Sequence, residues 1–139
     1  MSIDSGFHLA KALVILGLIS GYGCGLCNEE IRKQVHSPDG NTTAVYYIRD
    51  CGATTNFANL VSLRTSSQKF EGGDADGIVM DAQGRQEIEI HWEGNNTLVV
   101  QCPSCKAAQV LSKKTKWKQV AIVYADEENS STVEPRRQD

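Results

Sequence analysis

Between Glu87 and Glu93 the chain alternates without a break: Ile88, Ile90 and Trp92 interleave with Glu87, Glu89, His91 and Glu93. Successive side chains of a strand point to opposite faces, so apolar residues confined to one parity predict a half-buried strand with one wet face. Gly94-Asn95-Asn96 follows as a hairpin turn. Thr97 to Cys102 then returns, with Leu98, Val100 and Cys102 on one face and Thr97, Val99 and Gln101 on the other. A chain that must bury one face of such a hairpin needs a second sheet or further strands to cover it.

The rest of the body reads the same way from Ile31 onward. Ser37-Pro38-Asp39-Gly40 is a strong turn, because Pro presets φ, Asp bonds its own backbone and Gly accepts a positive φ. Thr43 to Ile48 is a β-branched and aromatic run, and it leads into Arg49-Asp50-Cys51-Gly52-Ala53-Thr54-Thr55-Asn56-Phe57. Leu60 to Leu63 and Ile78 to Met80 are short strands, separated by a polar, Gly-rich loop from Ser66 to Gly77. Asp81-Ala82-Gln83-Gly84 turns the chain before the alternating run. After Cys102-Pro103-Ser104-Cys105 a strand is expected at Ala107 to Leu111, then a basic stretch from Lys113 to Lys118 and a last apolar strand from Gln119 to Tyr124. The expected fold class is all-β, an antiparallel meander or small sandwich following an N-terminal hydrophobic helix.

Ala12 to Ile19 is the most apolar run, with Lys11 before it and Ser20, Gly21 and Gly23 after it. A positive residue, a short apolar core and small residues at a possible cut make a secretory signal pattern. The uncharged stretch from Ala12 to Cys27 is short of the roughly 20 residues that a comfortable spanning helix needs. Gly21-Tyr22-Gly23-Cys24 has the outline of a lipoprotein cleavage box, which makes Cys24 the lipidation candidate, although Gly21 and Tyr22 depart from the usual pattern. The domain reading is 1–27 as signal peptide or membrane anchor, 28–125 as a β domain, and 126–139 as a disordered tail. The tail has Val133 as its one large apolar residue.

Asn28-Glu29-Glu30-Ile31, Ser37-Pro38-Asp39-Gly40 and Arg49-Asp50-Cys51-Gly52-Ala53-Thr54-Thr55, in that order behind a leader, resemble a group of small bacterial envelope proteins that carry a domain of unknown function. The resemblance runs roughly from Asn28 to Tyr124 and is sharpest between Tyr47 and Leu63. It implies a signal or lipoprotein leader and a location in the cell envelope, membrane-anchored or secreted. It implies no catalytic residues, and the Cys102 and Cys105 pair is a departure from it. The Ser-Pro-Asp-Gly turn also resembles a β-propeller blade, but one copy cannot close a propeller.

Five cysteines is an odd number and many for so short a chain. In an oxidising compartment the expected arrangement is a structural disulfide from Cys51 to Cys102 or Cys105. The functional alternatives are thiol exchange at Cys102 and Cys105 or zinc held by the two Cys-x-x-Cys pairs, Cys24 with Cys27 and Cys102 with Cys105. The gap between those pairs is far longer than in common zinc modules, and a redox pair usually opens a helix. A Cys51–His91 nucleophilic pair and a calcium site at Asp74, Asp76 and Asp81 are weaker patterns. A solvated His on a polar strand face and a solvated acidic loop are their ordinary readings.

A net charge of −3 gives no electrostatic reason to expect nucleic acid. Lys113, Lys114, Lys116 and Lys118 with Trp117 make a short basic patch, read as a solvated hairpin or a contact for anionic headgroups. The expectation is therefore an exported, membrane-tethered domain acting by binding or scaffolding. No catalytic residue, cofactor or metal is assigned, and the membrane, through the N-terminal segment, is its one assigned partner.

Overall fold

The computed structural model describes residues 27–72 and 74–125. The hydrophobic N-terminal segment and the tail from residue 126 lie outside the described residues. Among the described residues nine strands form two sheets: β1 (Asn28–His36), β2 (Thr42–Asp50), β3 (Ala58–Thr65), β4 (Ile78–Gln83), β5 (Glu89–Trp92), β6 (Thr97–Gln101), β7 (Val110–Lys113), β8 (Lys116–Trp117) and β9 (Val120–Tyr124). The first sheet has the order β1-β2-β3-β4-β7 and the second β5-β6-β9-β8. Their facing sides share one core, with Tyr46, Val61, Leu63 and Met80 from the first sheet against Ile90, Leu98, Val100 and Ile122 from the second and Ile88 just before β5. The expected all-β class is the one observed.

The alternating run does what its parity dictates. Ile90 pairs with Val100 and Trp92 with Leu98, all on the core side. Trp92 is half-buried and donates its ring N–H to the Val35 carbonyl at 3.2 Å, which links β5 to β1. Val99, on the opposite face from Leu98 and Val100, is also buried, with His91 and Val123 as its cross-strand neighbours.

Four elements differ from the sequence reading. Asp81-Ala82-Gln83, expected to turn the chain with Gly84, instead continues β4, each residue paired with β3. The first sheet gains β1, a polar edge strand whose register shifts between Ile31 and Lys33. Its bulge and its Glu, Arg and Lys residues are how proteins blunt a sheet edge against further pairing. Ala107–Gln109 is a single 3-10 turn, and the strand starts later, at Val110. Finally, β6 and β9 run parallel, because the chain crosses to the first sheet as β7 between them.

Turns carry their expected chemistry. In the β1–β2 turn Asp39 accepts hydrogen bonds from Ser37 Oγ at 2.6 Å and from the Asn41 N–H at 3.0 Å, and Gly40 takes φ 74°. These bonds, that from Ser37 first, hold the Asp39 carboxyl below its ordinary pKa.

The outer face of the first sheet has its own small core of Val45, Tyr47 and Leu60, covered by Phe70 from the β3–β4 loop. Phe70 meets Tyr47 edge-on at 4.9 Å. Arg49 bonds Glu29 at 2.9 Å and donates to the Gly72 carbonyl, so the polar loop is fastened down rather than free in solvent. Arg64 lies 5.4 Å from the Phe70 ring centre and bonds Gln34 through Nη2, leaving its buried Nε and Nη1 without hydrogen-bond partners.

Candidate functional site

The cysteines form two bonds, Cys27–Cys51 and Cys102–Cys105. The expected bond from Cys51 to Cys102 or Cys105 is not the one formed. The ladder gives the reason: Asn28 lies opposite Asp50, so the next residue outward on each strand, Cys27 and Cys51, meet at the same end. The reading of Cys27 as part of the leader concealed this partner. Gly52, at φ 111°, and Asp50, which accepts the Gly52 N–H at 3.0 Å, shape the turn that follows.

Cys102 and Cys105 close a turn at the end of β6, where the Cys105 N–H donates to the Cys102 carbonyl at 3.0 Å. Cys102 is 6% exposed and belongs to the inter-sheet core. Cys105 is half-buried and packs against it. Beside the bond opens a cleft of about 430 Å³, walled by Met80, Val100, Val110, Leu111 and Tyr124.

A buried polar network holds this turn from behind. Gln86 donates through Nε2 to the Gln83 carbonyl at 2.8 Å and to Gln109 Oε1 at 3.0 Å. Ser104 Oγ donates to Gln86 Oε1 at 3.0 Å and accepts the Glu87 N–H at 3.2 Å. The Tyr46 hydroxyl lies 3.0 Å from the Gln86 carbonyl and 3.1 Å from Asn59 Oδ1. Asn59 Nδ2 donates to the carbonyls of Ala82 and Gly84. Burial, more than the nearby charges, raises the pKa of Tyr46. Sequence reasoning missed this set, though Gln86 shares the inward parity of Ile88, Ile90 and Trp92 and so could have been placed.

The other patterns are not brought together as sites. Cys51 is in a disulfide, so it has no thiol for His91 to activate, and His91 faces Glu93 at 3.8 Å on the exposed side of β5. Asp74 Oδ1 accepts the N–H groups of Asp76 and Gly77, a loop-forming role. Asp81 sits on the outer sheet face opposite Leu60 and Ser112, and its Oδ1 is buried without a hydrogen-bond partner. Burial raises its pKa, against a smaller lowering by Arg49. No group of three or more potential metal-ligating side chains occurs among the described residues. The sulfurs of Cys27, Cys102 and Cys105 are bonded to other sulfurs and offer zinc no thiolate.

The basic residues separate. Lys113 Nζ lies 4.6 Å from the centre of the Tyr124 ring and Lys118 Nζ 4.5 Å from that of Trp117, while Lys114 donates to the Asp76 carbonyl. A larger open groove of about 880 Å³ runs along the Cys27–Cys51 end, where Glu30, Arg32, Asp50, Arg85 and Glu87 give it mixed charge.

Comparison with protein-family models, with curated proteins and with solved structures finds no match.

Proposed function

We propose that the chain is an exported, membrane-tethered β domain that acts by binding. The observation that carries this is the pairing of the cysteines. The four described cysteines satisfy one another in two disulfides, an economy suited to an oxidising compartment. None of the four is then available to the fifth, Cys24, which is the residue that the lipoprotein-like pattern singles out. A cut after Gly23 would leave Cys24 at the new N-terminus and keep Cys27 with the domain. The resemblance to small envelope proteins points to the same location. Among the described residues no helix is long and apolar enough to cross a membrane, so the tether is assigned to the N-terminal segment.

Binding is favoured over catalysis by how the polar side chains are used. Tyr46, Asn59 and Gln86 are occupied in tying β2, β3 and β4 to the segment that leads into β5. The mixed-charge groove at the Cys27–Cys51 end is the surface best suited to a polar partner.

The test is a fusion of residues 1–28 to a reporter active only outside the cytoplasm, together with the intact mass of the native chain after thiol alkylation. The reading expects reporter activity, loss of the first 23 residues, a lipid mass increment at Cys24 and two disulfides. An inactive reporter and a full-length chain with all thiols reduced in the cytosol would overturn it.

A further inference from the structure

We propose that Cys102 and Cys105 form a thiol–disulfide exchange site whose electron donor is an extended, apolar polypeptide segment carrying two thiols. This activity goes beyond the binding role above and does not depend on it.

Three observations meet at the site. The first is how little the bond does for the fold. The stabilisation from a disulfide grows with the loop it closes. Cys102–Cys105 spans a sequence separation of 3 across a turn already closed by a backbone hydrogen bond, whereas Cys27–Cys51 spans 24. The second is unequal access. Both cysteines border the cleft, but Cys102 is 6% exposed and packed into the inter-sheet core, while Cys105 is only half-buried. An attacking thiolate therefore reaches Cys105 Sγ, and Cys102 is the leaving sulfur.

The third observation is the cleft, and it names the occupant. Met80, Val100, Val110, Leu111 and the ring of Tyr124 give it apolar walls, with Ser112 and Lys113 on its lining as well. Leu111 is 57% exposed on its rim, an uncovered apolar side chain beside a reactive bond. Its floor is bordered by β7, which among the described residues pairs with β4 alone and so is, with β1, one of the two edge strands of the first sheet. An extended segment can add along such an edge and place alternate side chains in pockets. A polypeptide with apolar residues flanking its cysteines fits both the edge and the walls.

The chemistry balances as one exchange. A thiolate of the donor attacks Cys105 Sγ; the Cys102–Cys105 bond breaks, and a mixed disulfide forms between donor and Cys105. Cys102 leaves as a thiolate and takes a proton from water, with Ser104 Oγ 3.9 Å from its sulfur as a hydrogen-bonding neighbour. The donor's second thiolate then attacks its own first sulfur, and Cys105 leaves and is protonated. The donor dithiol is oxidised to a disulfide, and this chain gains two electrons and two protons. The following 3-10 turn is too short to depress a thiol pKa as a helix would, so access and docking set the rate.

The test uses the purified, oxidised chain and two synthetic dithiol peptides with the same cysteine spacing, one flanked by Leu and Val, the other by Ser and Gly. Alkylation and peptide mapping follow each bond separately. The apolar peptide should reduce Cys102–Cys105 about tenfold faster than the polar one, the factor that docking one or two apolar side chains supplies. Cys27–Cys51 should show no such preference. Leu111→Asp, at an exposed position, should erase the preference between the two peptides, with circular dichroism showing that the variant is folded. A single-cysteine version of the apolar peptide, quenched early, should be found attached to Cys105. Equal rates for the two peptides at Cys102–Cys105, a preference that survives Leu111→Asp, or attachment at Cys102 would each overturn the proposal.

Discussion

The Tyr46 hydroxyl meets the Gln86 carbonyl at 3.0 Å inside the sandwich. Through that contact and its 3.1 Å contact with Asn59, a side chain of β2 joins β3 and the segment leading into β5. Buried polar atoms that lose a partner cost more than the bond itself gains. Asn59→Ala should therefore destabilise the domain by ~2–3 kcal/mol, because the carbonyls of Ala82 and Gly84 and the Tyr46 hydroxyl all lose a partner. Tyr46→Phe should cost ~1 kcal/mol, and the double change less than the sum, since the two share one network. Urea unfolding of the three variants reads this, and simple additivity would mean the side chains act separately.

Ile90 is fully buried between the sheets, and Glu89, one residue earlier, is exposed and paired with Lys33. Ile90→Asp should leave no folded population, because an unpaired charge in that position costs several kcal/mol against a stability of only ~5–15 kcal/mol. Glu89→Lys breaks an exposed ion pair and should cost less than ~1 kcal/mol. Circular dichroism of both variants checks the register, which equal tolerance would contradict.

Cys51→Ser should lower stability by ~2–4 kcal/mol, as expected for losing a bond that closes a loop of this length. Adding Cys27→Ser should change little more, because both substitutions remove the same bond. Cys102→Ser combined with Cys105→Ser should cost less than either and add independently to Cys51→Ser. Thermal melts of the set separate these outcomes, and full additivity of Cys27→Ser with Cys51→Ser would refute the pairing.

Tyr47 is buried beneath Phe70, and burial pushes its pKa to about 12, against a smaller lowering by Arg49. In the unfolded chain a tyrosine titrates near ~10. Between those values the folded state keeps a proton that the unfolded state has lost, so stability falls as pH rises. It is intact below about pH 10, and up to roughly 2–3 kcal/mol is lost by about pH 12. Tyr47→Phe should flatten that decline. Urea midpoints from about pH 9 to 11 measure the slope, and an unchanged slope in the variant would remove Tyr47 as its cause.

Asp81 is raised by burial, so its ionised form at neutral pH weakens the fold. Its contribution is favourable only at acid pH and is lost as pH rises through the folded pKa. Asp81→Asn should thus be neutral or stabilising, by up to ~1 kcal/mol at pH 7, with the gain shrinking in acid. A loss of stability at neutral pH would show that the carboxylate makes a favourable contact.

The alternating run from Glu87 to Glu93 carried its inward and outward faces and its hairpin into the structure, because burial on one side is written directly into residue parity, although the strand itself is shorter, Glu89–Trp92. The first strand was not legible in the same way. Asn28–His36 is an edge strand with few buried residues, so it lacks the apolar period that marks the others. Cys27 was hidden with it: without β1, nothing brings Cys27 opposite Cys51. Parity could place Gln86 inward, but only the packed sheets show which groups Asn59 and Gln86 serve. The parallel pairing of β6 with β9 depends on where the intervening chain crosses, a non-local choice that no short pattern records.

The bond between Cys27 and Cys51 has a mechanical consequence. Tension applied from the N-terminal side would otherwise act on β1 alone and peel it from β2 one ladder bond at a time, the weakest way to load a sheet edge. The disulfide passes that load at once into the end of β2, which is held on both sides by β1 and β3. The domain can therefore be pulled from its leading end without unzipping its first strand.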